Sequence, residues 1–401
     1  MKDVEAQARE KGNGMRRVGA VAAVAFAGAL GLHSCSTEVD LTADYQSIPV
    51  VYGLLEVEAD TQWVKINRTW LGEGNQLEAA QVRDSSEFAA GALVASIHEL
   101  FPSGTGQILG NEEPTGRVWA LRDTVVATKE EGGVFFAPEQ RVYFAETRDG
   151  GFGSLRDDRL YRLEATLPDG TEISAVTSMV ESIVGGINYP PSGANLQGFP
   201  LGFATVNNGV PNYGQIPFNW DVSPGASLYA ASLDVHFTER HYGDDAMTLL
   251  DSVRSRTISI PLGTRDVSTI SDFAQVEVTF SGERFYTELA SRLTPNPRVR
   301  RVLGVYNEAV QKEFAFDFVL QVANQDLAIY LDVNETTNSI VQDRPLWTNI
   351  EGGIGLWGSR SRVAVDNLGY TKQTIQHLQE GDLTAALNFC SPSPISDFGC
   401  D

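Results

Sequence analysis

Cysteine, histidine and methionine are scarce in this chain, at three, five and four residues among 401. So few thiols exclude a disulfide-stapled scaffold, and no C-x-x-C pair is available for zinc or redox chemistry. There is no G-x-S-x-G and no phosphate-loop lysine, and no histidine stands at a recognisable spacing from a nucleophile. No enzymatic activity, no metal and no cofactor are therefore expected. Positive charge is also in short supply, with 30 Lys and Arg against 52 Asp and Glu and a formal net charge of −22. Such a surface repels nucleic acid and anionic headgroups. No apolar run reaches the roughly twenty residues a membrane-spanning helix needs. With 42% hydrophobic and 20% charged residues, the composition is that of a globular chain.

The first thing present is a leader. Arg16 and Arg17 precede an apolar run from Val18 to Leu32, which ends in Leu32-His33-Ser34-Cys35. A basic start, a short apolar stretch and a small residue before the cut make a secretory signal. With cysteine at the cut, residues 1–34 resemble a bacterial lipoprotein signal, and Cys35 is the expected lipidation site. Translation could start at Met1 or, with a shorter leader, at Met15. Each buried methylene of an acyl chain adds about 0.8 kcal/mol, so more than one chain gives a stable membrane anchor. By analogy with sorted bacterial lipoproteins, Ser36 favours the outer membrane. Glu38, Asp40 and Asp44 are either a surface-export tag or part of an ordinary polar tether over residues 35–47. The remaining 367 residues carry 25 basic and 49 acidic side chains. They leave Cys390 and Cys400 as a candidate disulfide in an oxidising compartment. Closing so short a loop stabilises by about 3 kcal/mol, the alternative being two free thiols.

The rest reads as mainly β, in two antiparallel sandwich domains of immunoglobulin or fibronectin type with one or two short inserted helices. Residues 48–182 hold seven candidate strands: Val50–Val57, Gln62–Trp70, Ala92–Phe101, Val118–Thr128, Gln140–Thr147, Leu160–Leu167 and Thr171–Met179. Tyr161, Leu163, Ala165 and Leu167 alternate with polar residues before Pro168-Asp169-Gly170, which predicts a hairpin. Residues 183–217 are dense in Gly, Pro and Asn and read as a connection or a long functional loop. Residues 218–370 form the second domain. Its strands include Leu228–Glu239 and the alternating runs Phe314–Val322 and Leu327–Val333, with a helix inserted over 282–293 and stopped by Pro295. A short helix, Thr371–Glu380, opens the tail 371–401.

Several motifs invite chemistry and fall short of it. Gly353-Ile-Gly355-Leu-Trp-Gly358 fits G-x-G-x-x-G, but an alternating strand follows it rather than a helix, so it is read as a turn or bulge. His236 and His241 fall on opposite faces of a straight strand and share no metal. His98 and His377 stand alone. The acid pairs Glu112-Glu113, Glu130-Glu131, Asp157-Asp158 and Asp244-Asp245 border turn formers rather than a cleft. Among six tryptophans, Trp347 and Trp357 flank the glycine-rich turn and are the candidates for an exposed ligand platform.

Cys35-Ser-Thr-Glu-Val-Asp40, Val50-Val-Tyr-Gly53, Tyr161-Arg-Leu-Glu-Ala with Pro168-Asp169-Gly170, and the run from Trp347 to Arg360 recur together. On them the chain resembles a family of Bacteroidota outer-membrane lipoproteins, domain of unknown function 4249. The resemblance implies an outer-membrane lipoprotein with no catalytic residues, associated with TonB-dependent receptors. The expectation is a non-enzymatic subunit, anchored through lipid, that binds an outer-membrane or periplasmic protein partner through sandwich-end loops and residues 183–217. The alternative is a surface lipoprotein that binds a glycan for a transporter.

Overall fold

The computed structural model describes residues 47–70, 75–102, 113–148, 155–181, 186–193, 196–207, 210–335 and 346–400. The expected leader 1–34, the expected lipidation site Cys35, nearly all of the expected tether and Glu112 lie outside them. The chain is mainly β, with 50% strand and 14% helix.

In chain order the strands of the first half are β1 (Pro49–Leu55), β2 (Thr61–Arg68), β3 (Val94–Phe101), β4 (Glu113–Ala120), β5 (Arg122–Ala127), β6 (Glu139–Glu146), β7 (Leu160–Thr166) and β8 (Glu172–Ser178). Two short helices, α1 (Gln76–Ala80) and α2 (Arg83–Ser86), follow β2. The expected strand Val118–Thr128 breaks at Leu121 into the ends of β4 and β5, which belong to different sheets. The β7–β8 hairpin forms as its alternation predicts. Tyr161, Leu163, Ala165 and Leu167 are buried, and Gly170 takes a φ of 85° while its N–H reaches the Leu167 carbonyl at 3.0 Å.

Residues 183–217 are not the plain connection expected. They contain β9 (Ile187–Tyr189), β10 (Pro200–Leu201), β11 (Ala204–Asn207), β12 (Val210–Tyr213) and the start of β13 (Gln215–Asp221). Turn formers are dense there because the strands are short. Next come β14 (Leu228–Tyr242), β15 (Leu250–Asp266), β16 (Gln275–Ser281), helix α3 (Gly282–Arg292), β17 (Val299–Leu303), β18 (Val305–Asn307), β19 (Lys312–Phe314) and β20 (Phe316–Ala323). Helix α4 (Gln325–Glu335) then replaces the strand expected over Leu327–Val333. Alternation there is coincidental. Asn324 accepts the Leu327 N–H at 3.1 Å, and this cap decides the matter in favour of helix. The chain ends in β21 (Ile354–Tyr370), α5 (Lys372–Glu380) and β22 (Phe389–Cys390).

The two expected domains are not separate bodies, because residues 47–401 form one compact unit. Eleven strands make a single sheet, along the path β22-β17-β14-β20-β21-β1-β2-β6-β5 with β10 and β15 attached. Strand β21 serves both halves. Its first six residues pair parallel with β1, from Val50↔Ile354 to Leu55↔Ser359, and from Arg360 onward it pairs antiparallel with β20. A four-stranded sheet, β4-β3-β7-β8, shares one hydrophobic core with β1, β2 and β6. A three-stranded sheet, β16-β13-β9, shares a second core with β14 and β20, where Phe218 stacks on Phe318 at 4.9 Å.

Each core holds one fully buried indole beside a tyrosine whose hydroxyl accepts a backbone N–H from a few residues upstream. Trp220 lies 5.3 Å from Tyr229, whose hydroxyl accepts from Ser223 N at 2.8 Å. Trp357 donates to the Tyr161 carbonyl at 2.9 Å, and the Tyr161 hydroxyl accepts from Arg156 N at 2.7 Å. The Trp357 ring lies over Gly53, where a Cβ would stand 2.5 Å from it. Gly355, at φ 122°, lets the Val51 carbonyl approach as no side chain would allow.

Two stability outcomes follow. Trp357→Ala should cost about 3–5 kcal/mol, read as a lower urea midpoint. Gly53→Ala should cost about 1–3 kcal/mol by displacing the same ring.

Candidate binding groove

Trp357, expected as an exposed platform, is fully buried in the core beneath β7. Gly352 and Gly353 do turn the chain into β21, but Gly355 and Gly358 are strand residues that make room for close pairing, so the ring is not presented to solvent. Trp347 is half-buried and meets Tyr330 edge-on at 6.5 Å. The segment carrying it, residues 346–352, works as a strap. Asn349 bonds both backbone groups of Trp357, at 2.6 and 2.9 Å, as a neighbouring strand would. Glu351 exchanges two backbone bonds with Ser174 on β8, at 2.8 and 3.1 Å, and so ties the small sheet to the large one.

The strap and α4 separate two clefts. On one side lies a polar cleft of about 910 Å³, lined by Arg162, Glu164, Glu172, Ser174, Asp326 and Glu351 among others. Burial pushes the Asp326 carboxyl up, against donors on Thr177, Asn349 and Asn324 that favour its ionised form. Its Oδ2 accepts from Thr177 at 2.7 Å, so it ties the start of α4 to β8.

On the other side, across the outer face of β1, β2 and β21, runs a groove of about 620 Å³. Strand alternation supplies its floor: Trp357 points into the core, so Leu356 faces out, beside Tyr52 and Leu54 of β1. Helix α4 adds Leu327, Tyr330 and Leu331 as a wall. Tyr52 and Tyr330 meet edge-on at 6.1 Å, with their hydroxyls 3.5 Å apart, and burial pushes the Tyr52 hydroxyl up to about 12. Trp63 forms the far side and is 48% exposed; Tyr52 is 45% exposed. Arg360 and Glu56 form an ion pair at 2.5 Å along the rim. This arrangement offers aromatic faces and a polar edge on a rigid sheet.

The remaining sequence candidates scatter. His98 bonds Ser96 at 2.8 Å and Glu164 at 3.3 Å. Burial lowers His377, whose Nε2 lies 2.9 Å from the Tyr213 hydroxyl. His241 reaches Glu239 at 3.6 Å, while His236 binds Asp317 on a different strand. Glu130-Glu131, Asp157-Asp158 and Asp244-Asp245 occupy turns. Among the described residues no group of His, Cys, Asp and Glu is placed to hold a metal. Cys390 and Cys400 are joined, their Cα atoms 4.9 Å apart.

One cluster went unread in the sequence. His236 on β14 holds Asp317 of β20 through Nε2 and Thr257 of β15 through Nδ1, both at 2.9 Å. Asn367 N donates to the other Asp317 oxygen at 2.9 Å. The order carboxylate–imidazole–hydroxyl is that of a hydrolytic triad. The hydrogen bond to Asp317 raises His236, and the charges of Asp234 and Asp366 add to it. Three carboxylates around one imidazole favour its protonated form and oppose the negative charge that develops in acyl transfer.

The chain matches no model of a known protein family and no curated protein. Among the described residues no helix is long and apolar enough to cross a membrane.

The raised His236 fixes the sign of a pH effect. Its folded value lies above the unfolded value near 6.5, so its contribution is complete below about pH 6.5 and fades as pH rises through the folded value. Thermal melts of wild type and His236→Gln should differ most near pH 5.5 and converge toward pH 9.

Proposed function

We propose that this protein is a lipoprotein, acylated at Cys35 and held at the outer membrane, that binds a protein partner as a non-enzymatic subunit of an envelope complex. The observation that carries this reading is the groove between β1, β2, β21 and α4. It combines exposed Trp63 and Tyr52 with Tyr330 and Arg360, the residue types that dominate binding energy at protein interfaces. It is set on strands rather than loops, so little ordering entropy is lost on binding. The two layered halves are read as immunoglobulin- or fibronectin-like modules. The paired Trp220–Tyr229 and Trp357–Tyr161 anchors support that, since such a tyrosine marks those sandwiches. Association with a TonB-dependent transporter rests on the family resemblance alone.

A second reading keeps the anchor and places a glycan in the same groove. What favours it is the exposure of flat rings beside hydrogen-bonding groups on Glu56 and Arg360. Trp63 and Tyr330 then take the stacking role that the sequence reading gave to Trp347 and Trp357.

A photoreactive residue at position 331 in native envelopes should trap one protein neighbour, and Trp63→Ala or Tyr330→Ala should cut its yield at least about tenfold. A glycan-array signal lost in those variants selects the second reading. No neighbour above background and no glycan signal defeats both. Labelled fatty acid should enter the wild type and be absent from Cys35→Ala.

A further inference from the structure

The β14–β15 hairpin reaches past the layer that covers the rest of its sheet. In the proximal half of β15, alternate side chains are buried: Ile258, Ile260 and Leu262. From Val253 to Thr257 every residue is exposed, so neither face of this stretch is covered. One edge of β15 pairs with β14 from Leu250 to Asp266, and no strand pairs with its other edge among the described residues. Strand β16 comes near the proximal end alone, where Arg265 donates to the Glu277 carbonyl. The distal edge presents a row of backbone N–H and C=O groups with no strand beside them. Leu249, Leu250 and Val253 flank it and are 66, 51 and 56% exposed. Edges of this kind are usually short, bulged or covered, because they template the addition of another strand.

Charge narrows what would cover it. In a chain dominated by carboxylates, the stretch Leu250–Thr257 carries Arg254 and Arg256 against Asp251 alone. Arg240, on β14, stands opposite Val253 on one side and opposite Arg300 of β17 on the other. Like charges directly across a ladder are unfavourable unless something neutralises them. Arg256 shares the buried Glu239 with Arg301, and Asp245 is taken by Arg298. Asp244 is used by the backbone of its own turn, at Thr248 and Leu249. Arg254 stands opposite Glu239, which Arg256 and Arg301 already share, and neither Arg254 nor Arg240 forms an ion pair of its own among the described residues.

We propose that the distal half of β15, Leu250–Thr257, receives an extended, carboxylate-bearing segment of a protein partner as an added strand. Main-chain bonds along the open edge would supply affinity, and Arg254, on the face opposite Val253, would select acidic side chains on the incoming strand. Val253 and Leu250 would contact its apolar residues. Pairing of two copies through this edge is opposed, because antiparallel self-association brings Arg254 and Arg256 against their own counterparts. The proposal rests on the reading that the chain binds a protein partner, and it gives that partner a second, chemically defined contact.

The probe is a fluorescein-labelled peptide of alternating Glu and Val, titrated against the full chain by anisotropy. A Lys–Val peptide and a Glu–Val peptide N-methylated at alternate residues are the controls. The Glu–Val peptide should bind, more weakly at high salt, and neither control should. Arg254→Glu should weaken it at least about tenfold and admit the Lys–Val peptide; Arg254→Ala should weaken it without admitting the other. A photoreactive residue at position 253 in native envelopes should yield an acidic, extended partner peptide. Equal binding of both peptides, binding by neither, or a crosslink to a second copy of this chain overturns the proposal. If position 331 traps a neighbour while β15 takes no peptide, this proposal falls and the groove reading stands.

Discussion

The parallel pairing of β1 with the first six residues of β21 is the contact on which the rest of the molecule depends. It turns two layered halves into one sheet, since the same 17-residue strand continues antiparallel along β20. The pairing rests on two absent side chains. Gly53 leaves room for the Trp357 ring, and Gly355 lets the Val51 carbonyl come close. With the indole buried, Leu356 must face outward, and that places the floor of the groove. The groove is thus a by-product of how the core of the first half is closed.

Much of the fold was legible where alternation and turn chemistry agreed. The β7–β8 hairpin, the helix after Ser281 and the helix capped by Thr371 all form where the pattern puts them. Three readings failed for separate physical reasons. Leu327, Ile329, Leu331 and Val333 alternate like a strand, yet the Asn324 side chain caps a helix there. Gly355 and Gly358 look like part of a turn but lie within β21 and serve close strand packing, which sends Trp357 inward. Residues 183–217 look like a linker because their strands are two to four residues long.

The groove itself was not legible. Tyr52, Trp63, Tyr330 and Arg360 come from four segments whose contact depends on the β1–β21 pairing, so no linear spacing announces them. His236 lies off the core face between buried Val235 and Phe237, but its partners sit on two neighbouring strands. Alternation tells which face a residue takes; register tells what stands beside it, and register is a property of the assembled sheet. The strap at Asn349 and Glu351 shows the same limit, as its role is to imitate a strand at an edge that the sequence does not reveal.

The shared strand also orders events in time. Val50 meets Ile354 across some three hundred intervening residues, so β1 must wait for β21. A ladder this distant in sequence forms slowly, because a long loop closes before any contact rewards it. Until β21 docks, the first half therefore has an open border at β1 where its permanent neighbour will lie. Whatever keeps the unfolded chain soluble in that interval has to shield that border, and it can let go once β21 has paired with β1.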